Sequence, residues 1–291
     1  MADRARAVEL RDAATVMLVR DGDDGLEVFM LRRNLAADFV GGAYVFPGGA
    51  IDPADRHAHL EPCCAGRTDA DASRLLGIAQ GGLAYWVAAI RECFEEAGVL
   101  LAYSSDDKLV RLDDVAVAER FTRHRHAVDQ GRRRLVEVCA EEGLRLAVDA
   151  ISYFGHWITP VGAPRRYDTR FFVARAPTAQ EPLHDDREVI ANLWVRPSVA
   201  LAEHRAGRFE LILPTIANLE AIDRFERADD LLAAAAATTD VPTILPRVVG
   251  DRGGLRILLP GDAGYDDAPT GAAAPEFQVT TTGPGPHEGD R

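Results

Sequence analysis

An apolar run from Ala13 to Val19 closes on Arg20, and a second runs from Glu27 to Leu31; between them lies the polar stretch Asp21 to Gly25. Two apolar segments around a short, Gly-containing turn predict a β-hairpin at the start of the domain. Tyr44-Val45-Phe46-Pro47-Gly48-Gly49 reads as a further strand that ends in a Pro-Gly-Gly turn. From about Leu83 to Ala97 the pattern is helical, with the apolar start Tyr85-Trp86-Val87-Ala88-Ala89-Ile90 and the stop Gly98. Val99-Leu100-Leu101 is then the next buried segment. Residues 113–149 alternate apolar and charged groups at helical spacing, which predicts two or three helices. Ile151 to Ile158 and Thr169 to Ala174 read as paired strands around the turn Pro160 to Pro164, and Val189 to Val195 as another strand. Helical structure begins again at Pro197 and continues through Pro214-Thr215 to about Ala237. Leu255 to Leu259 is strand-like, and the Gly- and Asp-rich end from about Asp266 is expected to be disordered.

These elements divide the chain into a main domain over 12–235, a C-terminal extension over 236–265 and a tail over 266–291. No internal repeat interrupts this order. Within the main domain, 113–149 stand out as a helical elaboration.

The chemistry concentrates in Arg91-Glu92-Cys93-Phe94-Glu95-Glu96-Ala97-Gly98-Val99. At about 100° per residue a helix sets Glu92, Glu95 and Glu96 on one face. Like charges so placed repel one another, and a divalent ion held between hard oxygen ligands reverses that cost. The trio therefore reads as a metal site, with Arg91 offsetting part of its charge. A run of this kind also occurs on solvated helix faces, so its context matters.

That context is the Pro-Gly-Gly strand upstream. Strand, glycine turn and acidic helix together resemble the Nudix hydrolase family, whose box is written G-x5-E-x7-R-E-U-x-E-E-x-G-U, U being bulky and apolar. Residues 91–99 fill its second half, with Cys93 and Val99 at U positions. Counting back from Arg91 puts Gly77 at the glycine, but no Pro-Gly-Gly strand precedes it. Gly49 is the better counterpart, and Asp55, one methylene shorter than glutamate, then takes the first acid's place. Asp55 to Arg91 spans 36 positions where the family has 8, so an insertion of about 28 residues, roughly 56–82, splits the box. It carries His57, His59, Cys63 and Cys64, residue types able to bind zinc. Adjacent cysteines chelate one tetrahedral ion poorly, and the insertion reads instead as a surface excursion.

The split box, together with Leu31-Arg32-Arg33, Phe39-Val40-Gly41-Gly42, His156-Trp157-Ile158-Thr159-Pro160 and Arg165-Arg166-Tyr167-Asp168-Thr169-Arg170-Phe171-Phe172, is similar to the coenzyme A diphosphatase branch of that family. The resemblance covers about 12–225. It implies an α/β fold: a Nudix-type α/β/α sandwich with a mixed sheet, here bearing a helical insertion and a C-terminal helical extension. It also implies a diphosphatase using Mg²⁺ or Mn²⁺ held by Glu92, Glu95 and Glu96, with Arg91 orienting the carboxylates. The substrate would be a small nucleoside diphosphate derivative: coenzyme A or an acyl derivative, cleaved to 3′,5′-ADP and a 4′-phosphopantetheine. NADH or ADP-ribose is the alternative substrate, and a nucleotide-sensing domain without catalysis the alternative class. Such domains lose box glutamates, and all three remain here. Gly48 and Gly49 would let backbone approach metal and phosphates. Glu188 is the candidate general base, with Asp185 and Asp186 as competitors and Glu92 as another holder of the role. Arg32, Arg33, Arg165, Arg166 and Arg170 form the pool for the anionic end of the substrate. Arg32 and Arg33, adjacent in a strand, point to opposite faces. Tyr167 or Phe39 could stack on an adenine. By family analogy a homodimer is expected.

Composition narrows the partners. A net charge of −13 with 27% charged residues argues against nucleic acid or an anionic membrane as partner. No apolar run reaches the roughly 18 to 20 residues of a membrane span, the longest such candidate being Leu231 to Ala237. The start Met1-Ala2-Asp3-Arg4 is not a secretory signal. Four cysteines in 291 residues point to a reducing compartment, hence a cytoplasmic protein, with Cys93 and Cys139 as packing residues.

Overall fold

A computed structural model describes residues 8–34, 41–56, 60–182, 189–251 and 254–270. The opening hairpin is present as β1 (Leu10–Gly22) and β2 (Gly25–Arg33), closed by the Gly22–Gly25 pair. Two short strands follow, β3 (Tyr44–Val45) and β4 (Gly48–Ala50). The insertion contributes a 3-10 turn and α1 (Asp69–Leu76), and the acidic helix is α2 (Leu83–Ala97). The pair β5 (Ala102–Tyr103) and β6 (Arg145–Leu146) brackets the two helices of the elaboration, α3 (Val115–Asp129) and α4 (Leu135–Glu142). Three longer strands complete the main sheet: β7 (Ile151–Ile158), β8 (Arg166–Arg175) and β9 (Val189–Val195). The helices α5 (Pro197–Arg205), α6 (Leu213–Asp223) and α7 (Ala228–Ala237) come next. Last are β10 (Thr243–Ile244) and the hairpin β11 (Arg247–Asp251) and β12 (Gly254–Leu258).

The sheet is mixed, in the order β10-β7-β8-β1-β2-β3, with β4 also on β1 and β9 also on β2. Strand β1 sits at its centre: it runs parallel to β8 over its whole useful length, while on its other edge β4 takes Ala13–Thr15 and β2 takes Val19–Gly22. That shared edge brings Gly48 and Gly49 into the middle of the sheet.

Period-two alternation divides the core into two layers. Ala14, Val16, Leu18, Phe29, Leu31, Phe172 and Ala174 face the layer of α1 to α4. Met17, Val19, Val28, Met30, Phe171 and Val173 face α5 to α7. Helix α2 is apolar all round over its first two turns because it lies between the sheet and the added helices, with Leu83 through Ile90 all buried. Trp86 is fully buried, yet its indole N–H donates to Ile151 O at 2.9 Å.

The insertion is not a surface excursion. Leu60, Ala72 and Leu76 are buried in the same core layer as α2, so removing them would expose apolar area there. Cys93 and Cys139 are buried packing residues as expected; Cys63 and Cys64 are half-buried and in no disulfide, and His57 and His59 lie outside the described residues. Burial lifts the Cys64 and Cys139 thiols to about 12, leaving them protonated and inert. Near the C-terminus, Arg247 donates to Tyr265 O and Asp266 O, and Ala268 is buried; 271–291 lie outside the described residues.

Candidate active site

The polar end of α2 meets the glycine turn. Glu96, 7% exposed, accepts a hydrogen bond from Gly48 N at 2.9 Å. A side chain at position 48 would place Cβ 2.6 Å from Ala14 O, and one at 49 would place it 2.6 Å from Glu92 Cδ. Position 48 thus requires glycine against fixed backbone, whereas at 49 it is the Glu92 side chain that fills the space.

Arg91 holds the two halves of the box together. Its Nε donates to both carboxylate oxygens of Asp55 at 3.0 and 3.1 Å, its Nη2 to Asp55 Oδ2 and Ala50 O at 2.9 Å each. Nη1 donates to Glu92 Oε1 at 2.8 Å and Glu95 Oε2 at 3.1 Å. Asp55, which the Gly49-x5 spacing put forward for the first acid, thereby reaches Arg91 across the insertion. Gly77, the chance match, is instead the left-handed C-cap of α1.

The electrostatics follow from burial and this one cation. Burial opposes charge on Arg91, but Glu92, Asp55 and Glu95 outweigh it and make the guanidinium more basic than usual. At Asp55 burial favours the protonated acid, and the hydrogen bonds and charge of Arg91 oppose that. Glu95 is lifted to about 7, first by burial and further by Glu92, against the pull of Arg91.

Three hard carboxylates, a charge-balancing arginine and backbone that approaches within contact distance form a donor set suited to a divalent ion. Among the described residues, the trio whose ligand atoms all fall within 4.8 Å of one another is a different one: His124, Glu141 and Glu142. Each of them is already engaged by an arginine. Arg120 donates to Glu142 at 2.8 and 3.1 Å, Arg133 to Glu141, and His124 lies between Glu142 and Arg133 at 2.9 Å from each. That group is an ion-pair network. The box carboxylates are held differently, Glu92 and Glu95 together by Arg91 Nη1 and Glu96 by the Gly48 N–H.

Beside Gly98, the left-handed C-cap that the sequence marked, residues without such a signal hold the ends of α2. Gly82 offers no side chain to cap the helix, and Asp69 of α1 does so instead, accepting from Gly81 N and Leu83 N at 2.9 Å each; Ser73 Oγ accepts from Gly82 N at 2.9 Å. At the other end, Arg125 of α3 donates to Glu95 O at 2.8 Å and Glu96 O at 2.9 Å. Thr68-x-x-Asp71 was a legible capping box for α1, but nothing local marked Asp69 as serving a second helix.

The arginines are dispersed. Arg170 shares a row across the sheet with Ala14 and Gly49, but it is 4% exposed and engaged with Asp168 and His156. Arg166 pairs with Leu10, four residues along β1 from Ala14, which is about 13 Å at strand spacing. Arg165, Arg166 and Tyr167, with Arg11, line a cavity of about 290 Å³ there. Arg32 lies 5.7 Å from the Tyr44 ring and donates to Gly42 O at 3.4 Å; Arg33 carries a buried Nε without a hydrogen-bond partner. Glu188, Asp185, Asp186 and Phe39 lie outside the described residues.

A mixed sheet between two helical layers, with a glycine turn pressed on an Arg-Glu-x-x-Glu-Glu helix, defines a Nudix hydrolase. The family model for the NUDT19 Nudix domain matches residues 65–222, and the chain belongs to that family. It is 28% identical to the human acyl-coenzyme A diphosphatase NUDT19, an alignment covering 83% of this chain and 73% of the relative. The Xenopus laevis protein of the same name is 26% identical, over 84% and 72% of the two chains. Among solved structures, a Nudix hydrolase from Alicyclobacillus acidocaldarius superposes with a TM-score of 0.64 at 26% identity, covering 81% of this chain and 99% of that one. Nudix hydrolases work with divalent metal ions. Among the described residues no helix is long and apolar enough to cross a membrane.

Proposed function

We propose that this hydrolase cleaves the diphosphate of coenzyme A or an acyl-coenzyme A, releasing 3′,5′-ADP and the corresponding 4′-phosphopantetheine. The observation that carries the reading is the reassembled box: Gly48 N on Glu96 and Arg91 spanning Asp55, Glu92 and Glu95. The coenzyme A specificity is supported by the names of the relatives, acyl-coenzyme A diphosphatases that align over most of their length.

Glu92, Glu95 and Glu96 are the ligands for Mg²⁺ or Mn²⁺, and Arg91 orients Glu92 and Glu95 through its Nη1. The ion, when bound, neutralises charge developing on the two phosphates and makes a water more acidic. Gly48 and Gly49 are the positions where backbone would approach metal and phosphates, and glycine at 49 also leaves room for the Glu92 carboxylate. Glu188 is the assigned general base. Arg32 and Arg33 flank the turn through β2 and β3, and Arg166, about 13 Å along the sheet, suits the far end of an extended substrate. Four cysteines outside any disulfide suit a reducing, cytoplasmic setting, and a homodimer remains the assembly expected by analogy.

The test is product analysis by liquid chromatography and mass spectrometry, with Mg²⁺ or Mn²⁺ and equal coenzyme A, acyl-coenzyme A, NADH and ADP-ribose. Metal-dependent 3′,5′-ADP is expected, and Glu96→Gln is expected to lower its formation about 10²-fold or more with the fold intact. AMP from NADH or ADP-ribose instead would keep the chemistry and discard the substrate.

A further inference from the structure

The last turn of a helix is an unfavourable place for carboxylates, because its free carbonyls already carry partial negative charge. Glu95 and Glu96 stand in that turn of α2, with Glu92 one turn before. Packed against it is α3, from the elaboration that follows α2. Its Arg125, 9% exposed, reaches the carbonyls of these same two residues, Glu95 O from Nε at 2.8 Å and Glu96 O from Nη2 at 2.9 Å. Gly98, left-handed at φ 69°, leaves room for it: a Cβ there would lie 3.0 Å from Arg125 Nη1.

We propose that Arg125 is a positioning residue for the metal site, fixing the backbone of Glu95 and Glu96 and offsetting the negative end of α2. This rests on the metal-dependent reading above. The planar fork matters as well as the charge, since two successive carbonyls are held by two different nitrogens of one rigid group. A lysine at this position keeps the charge and loses the second bond. The elaboration thus acts on the chemistry from outside the box, through the main chain of two ligands, and touches no substrate atom itself.

The experiment titrates Mn²⁺ into the full chain, reading free ion by electron paramagnetic resonance, for the wild type and for Arg125→Gln, Arg125→Lys and Glu96→Gln. Near-ultraviolet circular dichroism checks the fold of each. Arg125→Gln is expected to weaken Mn²⁺ binding about tenfold or more, as supporting partners of metal ligands do, and Arg125→Lys to restore part of it. A folded Arg125→Gln protein with wild-type Mn²⁺ affinity, even one that melts earlier, overturns the proposal and leaves Arg125 a helix staple. Should Arg125→Gln not fold, Arg125→Lys decides: weaker Mn²⁺ binding supports the proposal and equal binding overturns it. If Glu96→Gln itself leaves Mn²⁺ affinity unchanged, the metal-site reading fails, and it does so independently of Arg125.

Discussion

At the residue scale the site is an arrangement of close approaches that single substitutions should disturb in distinguishable ways. Gly49→Ala puts a methyl group 2.6 Å from Glu92 Cδ, so Glu92 must swing away. The expected outcome is weaker Mn²⁺ binding with little loss of thermal stability, since a side chain gives way and not the backbone. Asp55→Asn acts on stability first. Asp55 and Arg91 form an ion pair at 2.9 Å whose side chains are 2% and 12% exposed, and breaking one partner leaves the other charge buried. A loss of about 3 kcal/mol is expected in urea unfolding, and an unchanged midpoint would show that Arg91 finds full compensation in Glu92 and Glu95.

At the element scale the decisive feature is that α2 draws on both added segments at its ends, beside its own C-terminal Gly98. Its N-terminal N–H groups are satisfied by Asp69 and Ser73, which belong to the insertion, and the carbonyls of Glu95 and Glu96 by Arg125, which belongs to the elaboration. A helix whose end groups lose such partners is destabilised by about 1 to 2 kcal/mol. Asp69→Ala should therefore lower stability by that amount in chemical denaturation, although Asp69 lies outside the box. A neutral result would mean that solvent replaces the carboxylate at Gly81 and Leu83. The elements themselves were largely legible. The opening hairpin, the helix from Leu83 to Ala97, and the pair β7 and β8 follow from their apolar runs and the turn residues between them, while the helical stretch read from Pro197 to about Ala237 is divided into α5, α6 and α7. The role of the insertion was not legible, since His57 through Cys64 looks like loop composition while the residues that pack, Leu60, Ala72 and Leu76, are spread too thinly to reveal a core.

For the whole molecule, stability depends on contacts that tie the ends of the chain together. Asp21, at the tip of the first hairpin, accepts from Ala228 N at 2.8 Å and faces Arg175 and Arg227, so it docks α7 onto the sheet. The Ala228 hydrogen bond first, and then the two arginines, hold its carboxyl below the ordinary range, against the opposing effect of burial. A depressed carboxyl contributes stability that is full above its unfolded pKa and is lost as pH falls through the lower native value. Asp21→Asn should therefore melt earlier than wild type at neutral pH, with the difference closing towards about pH 3. A constant gap across that range would assign the contribution to the hydrogen bond geometry alone.

The amino-acid sequence by itself determined the acidic helix and the one face its carboxylates share, because helical spacing and the Arg-Glu-x-x-Glu-Glu pattern are local and survive any insertion, while the fold class followed from the resemblance that this pattern carries. It also paired Gly49 with Asp55 as the missing half of the box. Tertiary structure decided what local spacing cannot carry: that Asp55 reaches Arg91 across 36 positions, that Glu96 rests on Gly48 N, and that both added segments grip the ends of α2. These are contacts between residues far apart along the chain, set by which strand lies beside which and which helix packs over them. Periodicity records which face of an element is buried, and it holds no record of what buries it.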